Sequence, residues 1–253
     1  MRLWQVRRHW DALAKADPYF AVLTEGDKKG NRWAVGEFFA TGVAEVERDL
    51  ARVRDCEPAL APGAALDFGC GAGRLTQALA PHFTRVTGVD ISGEMIALAR
   101  EHCALANVEF VHNPRADLGT FAAGSFSLVY SRITLQHIAP AYTRAYLGEF
   151  LRVLAPGGVL SVQVPESVPA GDPPDRLRFS LWPPTMAMRI KRHIRYHFPG
   201  WFPGTPKMQM YALSRDEVAA CLCGAGAQLL AVDRSEHDAV VNLTYIARRP
   251  RPV

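Results

Sequence analysis

The ten residues Leu66–Leu75, LDFGCGAGRL, limit the folds open to this 253-residue chain more than any other segment. They place three glycines directly after a short apolar strand candidate, Ala65–Phe68, and before a helical pattern that starts at about Leu75. A glycine-rich turn between a strand and a helix is typical of α/β sheets that bind a ligand at the carboxyl ends of their strands. The segment therefore predicts a ligand-binding α/β fold.

Short apolar strands and helices alternate along most of the chain after this turn. Further strands are predicted at Val86–Asp90, Val108–His112, Ser127–Tyr130, Val159–Val164, Gln228–Val232 and Val240–Ala247. Helices are predicted at Gly93–Ala104, around Leu147–Leu154 before a turn at Pro156–Gly158, and at Ser214–Cys223. Ser214 with Glu217 three residues later is a capping-box pattern. This alternation predicts a parallel sheet with helices on both faces.

We expect one domain, residues 1–253, with four parts. These are an N-terminal helical cap (1–60), a core (61–164), a lid or substrate insertion (165–212), and a C-terminal helix with two strands (213–253). The insertion is recognised by its prolines, which interrupt the strand and helix alternation. The first helix, with Trp4 and Trp10, is expected to close the other side of the cleft.

The spacing of the glycines excludes two common phosphate-binding loops. A dinucleotide-binding loop, G-x-G-x-x-G, requires a third glycine where Arg74 stands, and no Gly-Lys-Ser/Thr of a P-loop follows. The carboxylate of Asp67, just before the loop, would also repel a phosphate. The loop is therefore suited to a cationic ligand.

The run from Asp67 to Gly73, D-x-G-x-G-x-G, resembles motif I of the class I S-adenosylmethionine-dependent methyltransferases, in their small-molecule, type 11/25-like branch. Asp90 ends the second strand, 21 residues after Gly69, where this family has an acid for both ribose hydroxyls. Ser125–Ile138 and Leu151–Val162 resemble the family's fourth-strand and fifth-strand motifs. The resemblance implies a Rossmann-like, seven-stranded, mostly parallel sheet with the last strand antiparallel, and S-adenosyl-L-methionine as cofactor.

The resemblance also implies which residues contact the cofactor. The backbone of the glycine loop would pass the methionine part, with Asp67 near its amino group. The expected set is Asp67, Gly69, Cys70, Gly71, Gly73, Arg74, Asp90, Ile91, Met95, Asn113, Asp117, Ser131 and Arg132. Two positions depart from the family pattern: Ser127 replaces an acid, and Asn113 stands where an adenine-contacting acid is usual, with Asp117 a few residues late.

His137 lies just past the fourth strand and is the candidate catalytic residue. A histidine there could take a proton from an acceptor hydroxyl. The alternative is a structural role under the following helix. No metal is expected, since His193 and His197 share a helix face without a third ligand. The five cysteines show no zinc or disulfide framework, which favours reduced thiols in a cytoplasmic protein.

Arg176–Arg215 contains eight Lys or Arg residues and no Asp or Glu, mixed with aromatic residues and methionines. This composition favours an acceptor with an apolar body and an anionic group, such as a glycosylated or polyketide-like metabolite. The expected substrate-binding residues are His137, Arg176, Trp182, Tyr196, Trp201 and Met210. A membrane surface and RNA are alternative partners for the same segment.

The sequence thus predicts a methyltransferase that acts on a small molecule, at oxygen rather than nitrogen. DNA is not expected, because the fourth strand lacks an Asn/Asp-Pro-Pro-Tyr/Phe motif and no cysteine follows a proline. The alternatives are methylation of RNA or protein, and a cofactor-binding subunit without catalysis. No apolar run approaches the ~20 residues of a membrane-spanning helix, and a monomer or homodimer is expected.

Overall fold

The computed structural model describes residues 2–168, 208–237 and 240–251. The helices are α1 (Leu3–Ala16), α2 (Pro18–Val22), α3 (Val35–Cys56), α4 (Arg74–Leu79), α5 (Gly93–Glu101), α6 (Pro140–Val153) and α7 (Arg215–Gly224). The strands are β1 (Ala64–Phe68), β2 (Arg85–Asp90), β3 (Val108–His112), β4 (Phe126–Ser131), β5 (Leu154–Ser167), β6 (Gln228–His237) and β7 (Val240–Arg248).

The seven strands form one sheet in the order β3-β2-β1-β4-β5-β7-β6. Strand β7 runs antiparallel to both of its neighbours, and the strands from β3 to β5 are parallel. The fold predicted from the sequence is confirmed. The chain reverses its direction across the sheet between β1 and β4, and the crevice at the carboxyl ends of such a pair is where open α/β sheets bind ligands.

The sheet is covered on both faces, and successive residues of β1 show this. Leu66 belongs to an apolar cluster that includes Phe150 of α6. Its neighbour Ala65 belongs to a second cluster, which includes Leu50 of α3 and Leu79 of α4. Because side chains alternate along a strand, a strand buried on both sides is apolar throughout, as β1 is before Asp67.

Strand β5 starts earlier than the sequence pattern indicates. The predicted turn at Pro156–Gly158 lies inside the strand, because Leu154 pairs with Phe126 before the ladder shifts register and resumes with Val159 opposite Leu128. Gly157 adopts a left-handed φ of 80° at this irregularity. The Pro-Gly-Gly sequence therefore forms a bulge in a strand.

The capping box predicted at Ser214 is confirmed. Glu217 N–H donates to Ser214 Oγ at 3.3 Å, and Ser214 N–H donates to Glu217 Oε2 at 3.1 Å.

Helix α6 starts with Pro140 at its first position, where the missing N–H costs no helical hydrogen bond.

The N-terminal helices pack over the carboxyl ends of the strands and share an apolar cluster with α5. Its buried members are Leu13, Phe20, Ala21, Trp33, Phe38, Ala72, Met95 and Met208. Polar contacts fix α1 against α5: Ser92 Oγ donates to Asp11 Oδ1 at 2.7 Å, and Lys15 pairs with Glu94 at 2.9 Å. Helix α1 thereby covers the crevice. Within the described ranges, no helix has the length and apolar character needed to cross a membrane.

Candidate cofactor and acceptor site

The glycine loop after β1 is held in a conformation that side chains would disrupt. Gly69, Gly71 and Gly73 have φ values of 76°, 52° and 83°, a region that L-residues other than glycine rarely adopt. A Cβ on Gly69 would overlap the Thr134 side chain, and one on Gly73 would lie 2.7 Å from Phe110 Cζ. Glycine is therefore required at these positions by the backbone conformation and by the close approach of Thr134 and Phe110.

Asp90, at the end of β2, is fixed beside this loop. Its Oδ2 accepts from Gly71 N–H at 2.9 Å, and its Oδ1 accepts from Ser92 N–H at 2.8 Å. Burial raises the pKa of Asp90, and these two backbone hydrogen bonds oppose that rise. Each carboxylate oxygen keeps a second lone pair, so the group can accept from a pair of ligand hydroxyls.

A cavity that is partly open to solvent lies beside Asp90 and the loop. Six of the residues expected at the cofactor line it: Gly69, Gly71, Asp90, Ile91, Asn113 and Arg132. The other wall comes from the N-terminal helices, with Leu3, Val6 and Trp10 of α1 and Ala21 and Val22 of α2. Of these, only Trp10 was expected at the cleft from the sequence. The spacing i, i+3, i+7 of the three α1 residues was the available signal.

Asp67 lies beneath the loop and is not among the residues that line this cavity. Thr76 Oγ1 donates to its Oδ2 at 2.6 Å, and burial raises the pKa of Asp67 to about 7. The carboxyl group is buried, with 1% of Asp67 exposed. The sequence did not indicate Thr76 as its partner. The expected contact between Asp67 and a ligand amino group stays a prediction.

The side chain of Arg74 points away from the cavity and joins helix α3. Its Nη2 pairs with Glu45 Oε2 at 2.7 Å, and its Nη1 donates to Thr41 Oγ1 at 3.2 Å. A Cβ on Gly42 would lie 2.6 Å from the Arg74 carbonyl oxygen, so glycine allows this close approach of α3 to α4. In this arrangement the Arg74 side chain connects two helices.

The five remaining expected cofactor residues lie outside the cavity lining: Cys70, Gly73, Met95, Asp117 and Ser131. Ser131 Oγ donates to the Phe68 carbonyl oxygen at 2.8 Å, and Cys70 and Met95 are buried. Asp117 is at the surface in an ion pair with Arg115 at 2.9 Å. Asn113 Nδ2, at the cavity, donates to the Asp117 carbonyl oxygen at 2.7 Å, so the backbone of Asp117 positions Asn113.

His137 ends a 3₁₀ turn, Leu135–His137, and faces the cavity. Its Nδ1 lies 3.1 Å from the Gln209 carbonyl oxygen, so Nδ1 carries the proton. Its Nε2 then accepts from Gln136 Nε2 at 3.0 Å. Burial lowers the pKa of His137 to about 4, which keeps the imidazole neutral near pH 7. The neutral ring can accept a proton at Nε2, but the lone pair of Nε2 already accepts the hydrogen bond from Gln136.

Arg132 lines the cavity, and its guanidinium group is already paired with two acids of α3. Its Nε lies 3.0 Å from Asp49 Oδ2 and 3.6 Å from Glu45 Oε1. Tyr130 donates to the same Asp49 oxygen at 2.7 Å. The charge of Arg132 is therefore neutralised by α3.

Of the expected substrate-binding residues, the structure describes His137 and Met210. Arg176, Trp182, Tyr196 and Trp201 lie outside the described residues, and Met210 is half-buried. The backbone next to Met210 runs beside the 3₁₀ turn, where Tyr211 N–H donates to the Gln136 carbonyl oxygen at 2.7 Å. Among the described residues, no three His, Cys, Asp or Glu side chains form a group that could hold a metal ion.

Comparison with known proteins places this geometry in a family. Residues 65–158 match the profile of the methyltransferase domain family. The chain is 37% identical over 123 residues to the trans-aconitate 2-methyltransferase of Paracidovorax citrulli. The aligned residues cover 47% of this chain and 43% of that protein. It is 34% identical over 111 residues to the ubiquinone biosynthesis O-methyltransferase of Psychrobacter arcticus. This alignment covers 42% of each of the two chains. The chain thus spans less than half the length of these curated relatives.

Solved structures share the fold over more of the chain. Magnesium protoporphyrin IX methyltransferase from Synechocystis PCC 6803, solved with bound SAH, superposes with a TM-score of 0.60 at 20% identity, covering 96% of this chain and 98% of that one. The matched profile spans β1 to the start of β5, which includes the glycine loop, Asp90 and His137. Residues 65–158 therefore match a methyltransferase domain, in agreement with the resemblance of the glycine loop to the class I S-adenosylmethionine-dependent methyltransferases.

Proposed function

We propose that this protein uses S-adenosyl-L-methionine to methylate a small-molecule acceptor at oxygen. The observation that carries the proposal is the Asp90 carboxylate, held by Gly71 and Ser92 N–H groups at the edge of the cavity. An acid fixed beside an open glycine loop matches a ligand with a neighbouring pair of hydroxyls and a cationic part. The match to the methyltransferase domain family supports the same ligand.

The residues present fit this cofactor. Gly69 and Gly71 line the cavity without a side chain that would block a ligand, and Asp90 retains lone pairs for two hydroxyls. When bound, the cofactor supplies a methyl group on a sulfonium, and its leaving group is a neutral thioether. The protein must then hold the acceptor in line with that methyl group and exclude water.

Oxygen is the preferred acceptor atom because of His137. A hydroxyl acceptor must lose a proton during transfer, and His137, which lines the cavity, has a neutral ring whose Nε2 can accept it. Gln136 must rotate away for this to occur, since its amide donates to Nε2. The relatives are named for trans-aconitate and for ubiquinone biosynthesis, and these names support a small-molecule acceptor.

Residues 165–212 are proposed to contribute to acceptor binding within a single domain. Two observations support this. The sequence from Arg176 to Arg215 is free of acids, and the end of the segment contacts the site where the Gln209 carbonyl oxygen meets His137. The expectation that the acceptor carries an anionic group depends only on the composition of this sequence.

The test is the distribution of label after incubation of the protein with methyl-tritiated S-adenosyl-L-methionine and a fractionated cell extract. We expect label in the low-molecular-weight fraction, as base-labile or ether-linked methyl groups. The His137→Gln variant should transfer label more slowly without losing cofactor affinity. Label found only in RNA or protein would contradict a small-molecule acceptor.

A further inference from the structure

We propose that the part of the acceptor next to the methyl donor is an uncharged, flat apolar ring that carries the reacting hydroxyl. It lies between helix α1 and the end of β4. This inference rests on the proposed function, because it names the acceptor class of the same cavity.

The wall formed by α1 is apolar along one face of the helix. Leu3 and Val6 are buried, and Trp10 is half-buried with its indole ring at the cavity. Residues at i, i+3 and i+7 share a face, so these three side chains form a continuous apolar surface. Trp10 meets His137 edge to face, at 5.2 Å between ring centroids and an interplanar angle of 66°. An aromatic ring is well suited to such a surface.

The facing wall includes a residue in a strained backbone conformation. Ile133 lines the cavity and has a φ of 59°, which is a rare conformation for a β-branched residue. Its N–H donates to Gln163 Oε1 at 3.0 Å, a side chain of β5 that holds the strained backbone in place. Ile138 adds a second apolar side chain to the lining on this side. The protein thus retains a strained isoleucine in the cavity lining.

In the described part of the lining, no positively charged side chain is left without an acidic partner to bind an anionic ring. Arg132 is paired with Asp49 and Glu45, and burial keeps the pKa of His137 near 4, so its ring is neutral. The remaining charged side chain of this lining is Asp90, an acid. A carboxylate on the ring would lose its hydration without gaining a partner, which is costly in an apolar cavity.

His137 offers a polar position for the ring's substituent. It lines the cavity, and its Nε2 accepts from Gln136, a bond that a ligand hydroxyl can replace. A single hydroxyl at the edge of an apolar ring satisfies this position. The described walls therefore fit a phenol-like group.

The experiment compares 2-naphthol with 2-naphthoate, two ligands with the same ring system that are neutral and anionic at neutral pH. Each is titrated by calorimetry into the full chain saturated with S-adenosylhomocysteine. We expect 2-naphthol to bind about tenfold or more tightly than 2-naphthoate. Val6→Lys, which places a cation in the α1 wall, should reverse this preference. Trp10→Ala should weaken 2-naphthol binding.

Trp4→Ala is the matched control, because Trp4 lies on the same helix, is half exposed and does not line the cavity. It should leave both affinities unchanged. Equal or tighter binding of 2-naphthoate, or no binding of either ligand, would overturn the inference. The S-adenosylhomocysteine titration that precedes each experiment reports separately on the proposed function, so the two failures can be told apart.

Discussion

The indole of Trp10 and the imidazole of His137 meet edge to face across the crevice, 5.2 Å between their centroids. The contact joins helix α1 of the N-terminal cap to the turn that follows β4, with the cavity on one side. Burial in this contact is one source of the low pKa of His137, since a charged imidazolium would lose its hydration there. The cap thereby keeps the candidate base neutral.

His137 and Asp67 are predicted to have opposite effects on stability between about pH 4 and pH 6.5. The folded pKa of His137 falls to about 4 from 6.5, so the unfolded chain binds the extra proton and stability is lost on acidification. The folded pKa of Asp67 rises to about 7 from 3.8, so the folded chain binds the proton and stability is lost as the pH rises. The two contributions, each about 3 to 4 kcal/mol, largely cancel in this range.

Single variants separate the two contributions in urea unfolding across this pH range. His137→Gln should leave the effect of Asp67, so that stability decreases from pH 4 to 7 relative to the wild type. Asp67→Asn keeps an acceptor for Thr76 and should leave the effect of His137, so that stability increases with pH. Parallel pH profiles for both variants and the wild type would show that neither pKa is displaced.

Gly42→Ala is expected to weaken the contact between α3 and α4. The new Cβ would lie 2.6 Å from the Arg74 carbonyl oxygen, and two helices must separate to admit it. We expect a loss of about 1–3 kcal/mol in the free energy of unfolding. Gly36→Ala is the control in the same helix, because its Cβ meets nothing within 4 Å. That variant should gain about 0.5–1 kcal/mol from helix propensity, and equal effects would refute the account.

Asp49→Ala should be strongly destabilising, because it leaves Arg132 with a weaker partner in a buried setting. The Arg132 and Asp49 side chains are 12% and 9% exposed, and removing one member of a buried pair costs about 3–5 kcal/mol. The ion pair between Arg52 and Asp233 is the contrast, with both side chains over 40% exposed. Asp233→Ala should cost less than about 1 kcal/mol. Chemical denaturation of both variants measures the difference, which similar losses would contradict.

Asp11 is expected to act on the cofactor through Ser92. Ser92 Oγ donates to Asp11, and Ser92 N–H donates to Asp90. Ser92 therefore connects helix α1 to the acid at the end of β2 through hydrogen bonds. Asp11→Ala should weaken S-adenosylhomocysteine binding by about three- to tenfold. Asp11→Asn retains a carbonyl oxygen for the Ser92 hydroxyl and should bind nearly as the wild type does. Equal loss in both variants would point to the charge of Asp11 instead.

The fold was predictable from the sequence because the strands are short, apolar and separated by helices. The predicted bounds of β3, Val108–His112, agree with the structure. The predicted start of β5 was wrong. Pro156–Gly158 has turn composition, but the residues on either side of it, Leu154 and Val159, pair with β4, and Gly157 N–H donates to the Arg249 carbonyl oxygen at 2.8 Å. That pairing depends on the register of two strands, which local sequence does not encode.

The site was predictable where local sequence defines it. The glycine loop and Asp90 lie at the ends of neighbouring strands, and the motif spacing brings them together. The direction of the Arg74 side chain depends on Glu45, a residue of another helix. The α1 wall likewise depends on how the cap packs over the sheet, although its apolar face was visible in the spacing of Leu3, Val6 and Trp10.

The most direct test of the central claim is a calorimetric titration of S-adenosylhomocysteine into the wild type and two acid variants. We expect saturable binding by the wild type and a loss of about 100-fold or more in Asp90→Ala, which removes charge-assisted hydrogen bonds. Asp233→Ala is the matched control, because Asp233 is half exposed, paired with Arg52 and outside the cavity lining. It should bind as the wild type does. Absence of binding by the wild type, or unchanged binding by Asp90→Ala, would contradict the assignment of this cavity to the cofactor.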